Sequence, residues 1–160
     1  MKQTKRMNEI QENMKPGRIT LNGFLGSDSR NLVDILIVDD AKVKRLNVTH
    51  KKIARKMIEF KQKGIKGMGD FIKVKPHFEV KVETVRGKLP CPFGDPGIFP
   101  KINTYVKNLR INKNINYTDL NIHMIWAHGF YEGKGSKFRL DPETLVEVLE
   151  INEIEDNYEI

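Results

Sequence analysis

The segment from Tyr117 to Leu140 constrains the fold most, because it joins an apolar helix to a glycine-rich loop. Thr118 or Asp119 can cap the start of this helix, since either side-chain oxygen can accept from the free amides of the first turn. Gly129 is suited to ending it, because glycine adopts the left-handed conformation at little cost. A wide apolar arc predicts that most of the helix is buried. The members of this arc are Leu120, Ile122, Met124, Ile125, Trp126 and Ala127.

The charge distribution separates a basic body from an acidic end. The chain has 28 Lys and Arg against 21 Asp and Glu, a net charge of +7. Residues 141–160 hold eight acids and no basic residue, so the other 140 residues carry all 28 basic residues and 13 acids. Such a body favours a polyanion as its partner. The simpler alternative is that the lysines only keep the surface soluble.

Length and composition are those of one globular domain. With 160 residues, 39% hydrophobic and 31% charged, we expect a single domain over 1–160. No apolar run reaches the length of a membrane span, and no secretory signal is recognisable, so no membrane partner is expected. The single cysteine cannot form an internal disulfide, which favours a cytoplasmic location. The ends, 1–15 and 152–160, are expected to be frayed or loosely docked, with a short docked helix as the alternative for 1–15.

Residues 29–46 allow two interpretations. The run 34–40, D-I-L-I-V-D-D, resembles the first strand of a receiver domain, whose paired acids help to hold magnesium. That resemblance implies a phosphate-accepting Asp at the end of a later strand, but residues 41–69 contain no Asp. We therefore predict a helix capped by Ser27 or Asp28, with a strand as the alternative because of its β-branched residues. The apolar residues at helical spacing are Leu32, Leu36, Val43 and Leu46.

Residues 49–63 carry a clearer helical pattern. Thr49 is a suitable N-cap, and Val48 before it can pack against Ile53 as a hydrophobic staple. The run T-H-K-K-I-A-R-K-M is similar to the first helix of a helix-turn-helix. The sequence that follows is rich in glycine and then β-patterned, so it offers no recognition helix. The alternative is a helix-turn-helix made of 30–46 and 49–63.

Residues 71–117 are predicted to form a small antiparallel sheet. Apolar and charged residues alternate from Phe78 to Glu83, as in a half-buried strand, and alternation returns from Lys101 to Ile111. A turn is predicted at 86–88, a hairpin turn at 112–114, and a loop from Pro90 to Pro100, which holds four of the seven prolines. A last helix is predicted after Asp141, which is followed by a proline at the first helical position.

Cys91 is the candidate nucleophile. A reactive thiol needs a lowered pKa, which His123 or His128 could supply after folding. If the protein is an enzyme, we expect Cys91 and His128 to approach within hydrogen-bond or common-ligand reach, with Glu132 beside them. We expect His123 to be the more buried histidine. These side chains are also the candidate metal ligands, Cys91 with both histidines. The histidines are five residues apart, about 140° around a helix, so such a site requires the helix to end near Ala127.

Two groups of cations are candidate anion-binding residues. The first lies in the glycine-rich loop after the Trp126 helix, where free amides could assist, and the second lies on the 49–63 helix. The members are Lys134, Lys137 and Arg139 in the loop, and Lys51, Lys52, Arg55 and Lys56 on the helix.

Together these patterns predict an α+β fold, with a small antiparallel sheet packed against two N-terminal and two C-terminal helices. The leading functional hypothesis is a cytoplasmic binding module, without catalysis, whose basic face binds nucleic acid or another polyanion. The alternative is a small enzyme that uses Cys91 with His128 or His123, metal-assisted or not. The sequence identifies no cofactor.

Overall fold

The computed structural model describes residues 2–151 and shows an α+β fold with one antiparallel sheet, which confirms the predicted class. None of the helices in this range is long and apolar enough to cross a membrane. A 3-10 turn, Ile65–Gly67, follows the third helix. In chain order the elements are α1 (Lys5–Asn13), α2 (Leu32–Arg45), α3 (His50–Gly64), β1 (Ile72–Val74), β2 (Phe78–Pro90), β3 (Ile98–Asn108), β4 (Lys113–Thr118), α4 (Asp119–His128) and α5 (Pro142–Leu149).

The helix boundaries follow the capping residues. Thr49 accepts from the amide of Lys52 at the start of α3, and Asp141 accepts from two amides at the start of α5. Thr118 and Asn121 form a reciprocal capping box at the start of α4, and Gly129 ends that helix with φ +62°. These helix ends could be predicted from the sequence, because each capping residue satisfies amides or carbonyls that a helix end leaves unpaired.

The helix interpretation of 29–46 is confirmed by α2. Its N-cap is Asn31, whereas Asp28, one of the two predicted caps, accepts hydrogen bonds from Arg30 instead. Asp39 interrupts the apolar stripe of α2 and is 2% exposed. Arg139 donates to both of its carboxylate oxygens, at 2.6 and 3.0 Å, so this acid is buried with its counter-charge.

The strands lie in the order β1-β2-β3-β4, each antiparallel to its neighbour. β1 pairs only with residues 78–80 and β4 only with 103–108, so residues 84–90 and 98–102 form a two-stranded ribbon beyond the sheet. The predicted turn at 86–88 is wrong, because the chain passes through a bulge there, and the predicted loop shortens to 91–97. Each ribbon strand has one open edge, where a proline without an N–H is tolerated.

Two hydrophobic cores meet at α4. The sheet core lies between α3, α5 and one face of the sheet, and α4 contributes Ile122 and Ile125 to it. The N-terminal core is built by α1, α2, residues 24–25 and the beginning of the 91–97 loop, and α4 contributes Leu120 and Met124 to it. Two adjoining faces of one short helix are therefore buried against different parts of the chain.

The N-terminal segment is part of the fold. Of the two alternatives for residues 1–15, the structure shows the helix, with Met14 fully buried and Ile10 7% exposed in the N-terminal core. Residues 152–160, which were predicted to fray, lie outside the described residues.

The prediction that Trp126 is buried is wrong. Leu120 and Met124 are buried as expected, at 3% and 0% exposure, but Trp126 is 42% exposed. The two cores take adjoining faces of α4 and leave Trp126 on the third face, where the ammonium of Lys51 lies 5.9 Å from its ring centre.

A pair of alanine substitutions separates these two positions. We expect Met124→Ala to lower the free energy of unfolding by about 2–5 kcal/mol, because it opens a cavity in the N-terminal core. Trp126→Ala should cost only about 1–2 kcal/mol, because much of the ring is already in water. Urea denaturation of both variants measures the difference, and equal losses would contradict the exposed placement of Trp126.

Candidate metal centre

The loop at the tip of the two-stranded ribbon presents a thiol and a carboxylate side by side. In the sequence C-P-F-G-D, the amide of Gly94 donates to the carbonyl of Cys91 at 3.0 Å, which closes a tight turn. Gly94 has φ +89°, a conformation that a residue with a Cβ rarely adopts. The turn brings Asp95 next to Cys91, with 3.7 Å between Sγ and Oδ2.

Both histidines of α4 converge on that carboxylate. Nε2 of His123 lies 2.7 Å and Nε2 of His128 lies 2.5 Å from Oδ2 of Asp95. Nε2 of His128 is also 3.9 Å from Sγ of Cys91. One donor atom from each of the four side chains lies within 4.8 Å of the others, and we call these residues the Cys-Asp-His-His cluster.

Aromatic rings fix the two imidazoles. Phe93, inside the loop, stacks on His128 with 3.9 Å between ring centres and 7° between planes. Phe99, at the start of β3, packs against His123 at 4.5 Å. Each imidazole therefore packs against an aromatic ring, one from the 91–97 loop and one from the ribbon, and this packing limits its rotation.

The donor set and its spacing suit a transition metal. Zinc binds sulfur at about 2.3 Å and nitrogen at about 2.0–2.1 Å, so neighbouring donors of a tetrahedral site stand about 3.3–3.7 Å apart. The sulfur of Cys91 is already close to that range from Asp95 and His128. The two Asp95–histidine separations are hydrogen-bond distances, and a shift of about 1 Å in this partly exposed carboxylate would open them.

The protonation of the cluster argues against a free thiolate. Burial raises the pKa of the Cys91 thiol and outweighs the hydrogen bonds that the amides of Phe93 and Asp95 make to it. Hydrogen bonds from His128 and His123 lower the pKa of the Asp95 carboxyl. A nucleophilic cysteine needs a shift in the opposite direction, whereas a bound metal ion deprotonates a coordinating thiol outright.

Sequence reasoning found three of the four residues and missed the fourth. The structure brings Cys91, His123 and His128 together although α4 continues to His128. The side chains of both histidines extend to the 91–97 loop. His123, expected to be the more buried histidine, has a side chain as exposed as that of His128, 22% against 21%. Asp95 was missed, and its signal was its position four residues after Cys91 in a proline- and glycine-rich turn.

Glu132 does not join the cluster. Its carboxylate accepts from Nδ2 of Asn121 at 2.7 Å and from the hydroxyl of Ser136 at 2.6 Å. The residue is 3% exposed and has φ +69°, an uncommon conformation for a side chain of this size. Burial raises the pKa of Glu132 to about 7, against the hydrogen bonds from Ser136 and Asn121 and the charge of Arg139.

The predicted anion-binding cations have divergent surroundings. Arg139 is committed to Asp39, so its guanidinium is not open to a ligand. Lys52 is 4% exposed, and Lys56 forms an ion pair with a carboxylate of α3 at 3.4 Å. Lys137 lines a cavity that also contains Glu132. The seven residues come from two elements, with Lys134, Lys137 and Arg139 in the loop and Lys51, Lys52, Arg55 and Lys56 on α3.

Comparison of this chain with protein-family models, curated proteins and solved structures finds no match. A function for the chain therefore has to follow from its own side chains. The Cys-Asp-His-His cluster and the buried Glu132 are two arrangements in the described residues that combine unusual geometry with reactive groups.

The buried carboxyl predicts a pH-dependent stability. A folded pKa of about 7, above the usual 4.5, means that protonated Glu132 stabilises the fold below about pH 4.5. That contribution is lost as the pH rises through 7. Glu132→Gln keeps the shape of the side chain without its charge. The free energy of unfolding of this variant, measured relative to wild type, should therefore rise by about 2–3 kcal/mol between pH 5 and 8.

Urea denaturation across that pH range measures this difference. The control is Glu9→Gln, which removes an equal charge from an exposed position on α1 and should change little with pH. A difference between Glu132→Gln and wild type that is constant from pH 5 to pH 8 would show that Glu132 has an ordinary titration.

Proposed function

We propose that this protein binds one zinc ion through Cys91, Asp95, His123 and His128. The observation that supports the proposal is the convergence of four different donor atoms within 4.8 Å, from a turn and a helix that are distant in sequence. Sulfur and imidazole nitrogen favour zinc over magnesium or calcium, which prefer all-oxygen sites. One carboxylate completes the four ligands of a tetrahedral ion.

The ion has a structural role in this proposal. Four protein donors fill a tetrahedral site, whereas a catalytic zinc keeps one position for water or substrate. Of the four cluster residues, only His128 lines one neighbouring cavity and only His123 lines the other. The ion would hold the 91–97 loop against α4, where Cys91 and Phe93 already belong to the N-terminal core.

The enzyme alternative, with Cys91 as nucleophile, has weaker support. Cys91 is 4% exposed, and burial favours its neutral thiol. Nε2 of each imidazole lies within hydrogen-bond distance of Asp95, and the one that also approaches the thiol, that of His128, is much closer to the carboxylate. Metal coordination uses the same four residues without requiring the thiolate to be exposed.

Cobalt and zinc titrations of the metal-free protein test the proposal. One equivalent of Co²⁺ should give the visible bands of a tetrahedral site and a near-ultraviolet thiolate-to-cobalt transition. Cys91→Ser should abolish the thiolate transition, and Asp95→Asn or His123→Gln should weaken binding by more than about tenfold. Zinc at about 1,000 times its dissociation constant should raise the melting temperature by about 10 °C.

His77→Gln is the matched control. His77 is also half-buried and hydrogen-bonded to a carboxylate, that of Glu150, but it lies outside the cluster. This variant should bind Co²⁺ like wild type even if its stability falls. The proposal is wrong if equimolar zinc leaves the melting temperature unchanged and Co²⁺ gives no tetrahedral spectrum.

A second proposal keeps the polyanion partner and assigns it to the face of the sheet that points away from α3. Lys81 lies 4.7 Å from the ring centre of Tyr105 and 5.2 Å from that of Phe71, and Lys107 lies 4.1 Å from Phe71. Cations beside aromatic rings suit single-stranded nucleic acid, because bases can stack while the ammonium groups meet phosphates.

Binding of a labelled oligothymidylate at several salt concentrations tests this second proposal. Each lost phosphate contact lowers the slope of log K against log salt by about 0.7 for a single strand. Lys81→Gln with Lys107→Gln should therefore reduce the slope by about 1.4, whereas Lys51→Gln with Arg55→Gln on α3 should leave it unchanged. Absence of binding at low salt would remove nucleic acid as a partner.

A further inference from the structure

A cavity of about 490 Å³ lies at the end of the sheet face that points away from α3. Side chains of β2, β3 and β4 form one wall, and residues 20–24 with the 132–138 segment form the other. Its volume falls in the range of about 300–1,000 Å³ that is usual for small-molecule sites. We call it the Glu132 cavity, after the buried acid that lines it.

The Glu132 cavity has a large apolar part. Phe24, Leu89, Leu120 and Phe138 contribute to its lining. Phe24 and Leu120 are buried members of the N-terminal core, so this part of the wall is held by packing. A rigid apolar wall suits an aromatic or aliphatic body and costs little entropy when a ligand binds.

Two ammonium groups at the cavity have no ion-pair partner. Lys101 on β3 and Lys137 in the 132–138 segment line it, and neither pairs with an acid within residues 2–151. Glu83, which also lines the cavity, already accepts from Tyr105 at 2.7 Å and lies 3.7 Å from Lys81. Two uncompensated cations beside an apolar wall favour a ligand with an anionic group.

Glu132 supplies the polar group at the buried side of the cavity. Asn121 and Ser136 fix its carboxyl group, and each oxygen, which accepts one hydrogen bond from them, has a second lone pair. The left-handed backbone at Glu132 is a strain that the surrounding structure has to maintain, and such strain concentrates at functional sites. An acceptor held in this way can recognise an N–H or O–H group of a ligand.

We propose that the Glu132 cavity binds a small amphipathic organic anion. Its apolar body would lie against Phe24, Leu120 and Phe138. Its carboxylate, sulfonate or phosphate group would meet Lys101 and Lys137, and a hydrogen-bond donor on its body would meet Glu132. This site shares no residue with the Cys-Asp-His-His cluster and does not depend on the proposed zinc ion.

A matched pair of fluorescent probes tests the proposal. 8-Anilinonaphthalene-1-sulfonate is an amphipathic anion with an N–H group, and N-phenyl-1-naphthylamine is the same body without the sulfonate. The sulfonate probe should bind at one site, with an affinity at least tenfold higher than that of the uncharged probe. Lys137→Gln and Lys101→Gln should each weaken the sulfonate probe by about tenfold and leave the uncharged probe unchanged.

Lys134→Gln is the matched control, because it removes an exposed cation from the same segment at a position that does not line the cavity. It should change the affinity of the sulfonate probe by less than about twofold. Amide shifts in ¹H–¹⁵N spectra should map the probe to residues 20–24, 103–105 and 132–138.

Three results would overturn the proposal. The first is no saturable binding of the sulfonate probe to the folded protein, and the second is equal affinity for the two probes. The third is a shift map centred on the cavity that Trp126 and His128 line, with affinity unaffected by Lys137→Gln. Because the readout involves no metal, failure here would leave the zinc proposal standing, and loss of zinc binding would leave this one standing.

Discussion

The fold depends on the burial of two adjoining faces of α4. Ile122 and Ile125 complete the core under the sheet, while Leu120 and Met124 complete the core with α1 and α2. Neither core is closed without this ten-residue helix, and the capping box at Thr118 sets the residue at which it begins. Because the two faces are taken by packing, the remaining one carries the exposed Trp126 and the half-buried His123. The location of the candidate metal centre follows from that division.

Local chemistry explains what the sequence predicted well. The caps at Thr49, Thr118 and Asp141 and the stop at Gly129 act within one helical turn, so their residues identify them without knowledge of the fold. The fold class followed from the same signals and from the alternation in β2. The extension of β2 through Gly87 could not be predicted from these signals, because it depends on pairing with a strand partner on one edge while the other edge stays open.

The candidate metal centre was predicted only in part, because residue types can be identified locally whereas their contacts depend on the fold. Cys91 and the α4 histidines stood out by residue type, but their meeting point depends on how the ribbon packs across α4. Asp95 could not be chosen over Glu132 from sequence, since each acid lies beside glycines in a predicted loop. The structure separates them: Asp95 faces two imidazoles, while Glu132 faces Asn121 and a cavity. The Tyr117–Leu140 segment thus contributes to two distinct polar sites.

The tip of the ribbon has a consequence for the unfolded chain. Cys91 and His128 are 37 residues apart, and Asp95 and His123 are 28 apart. An ion shared by these side chains acts as a cross-link that closes a loop of that length. By the chain-entropy relation used for disulfides, closing 37 residues removes about 4 kcal/mol of conformational freedom from the unfolded state. A protein with one cysteine would in this way obtain the effect of a covalent bridge, and the bridge would be reversible by removal of the ion.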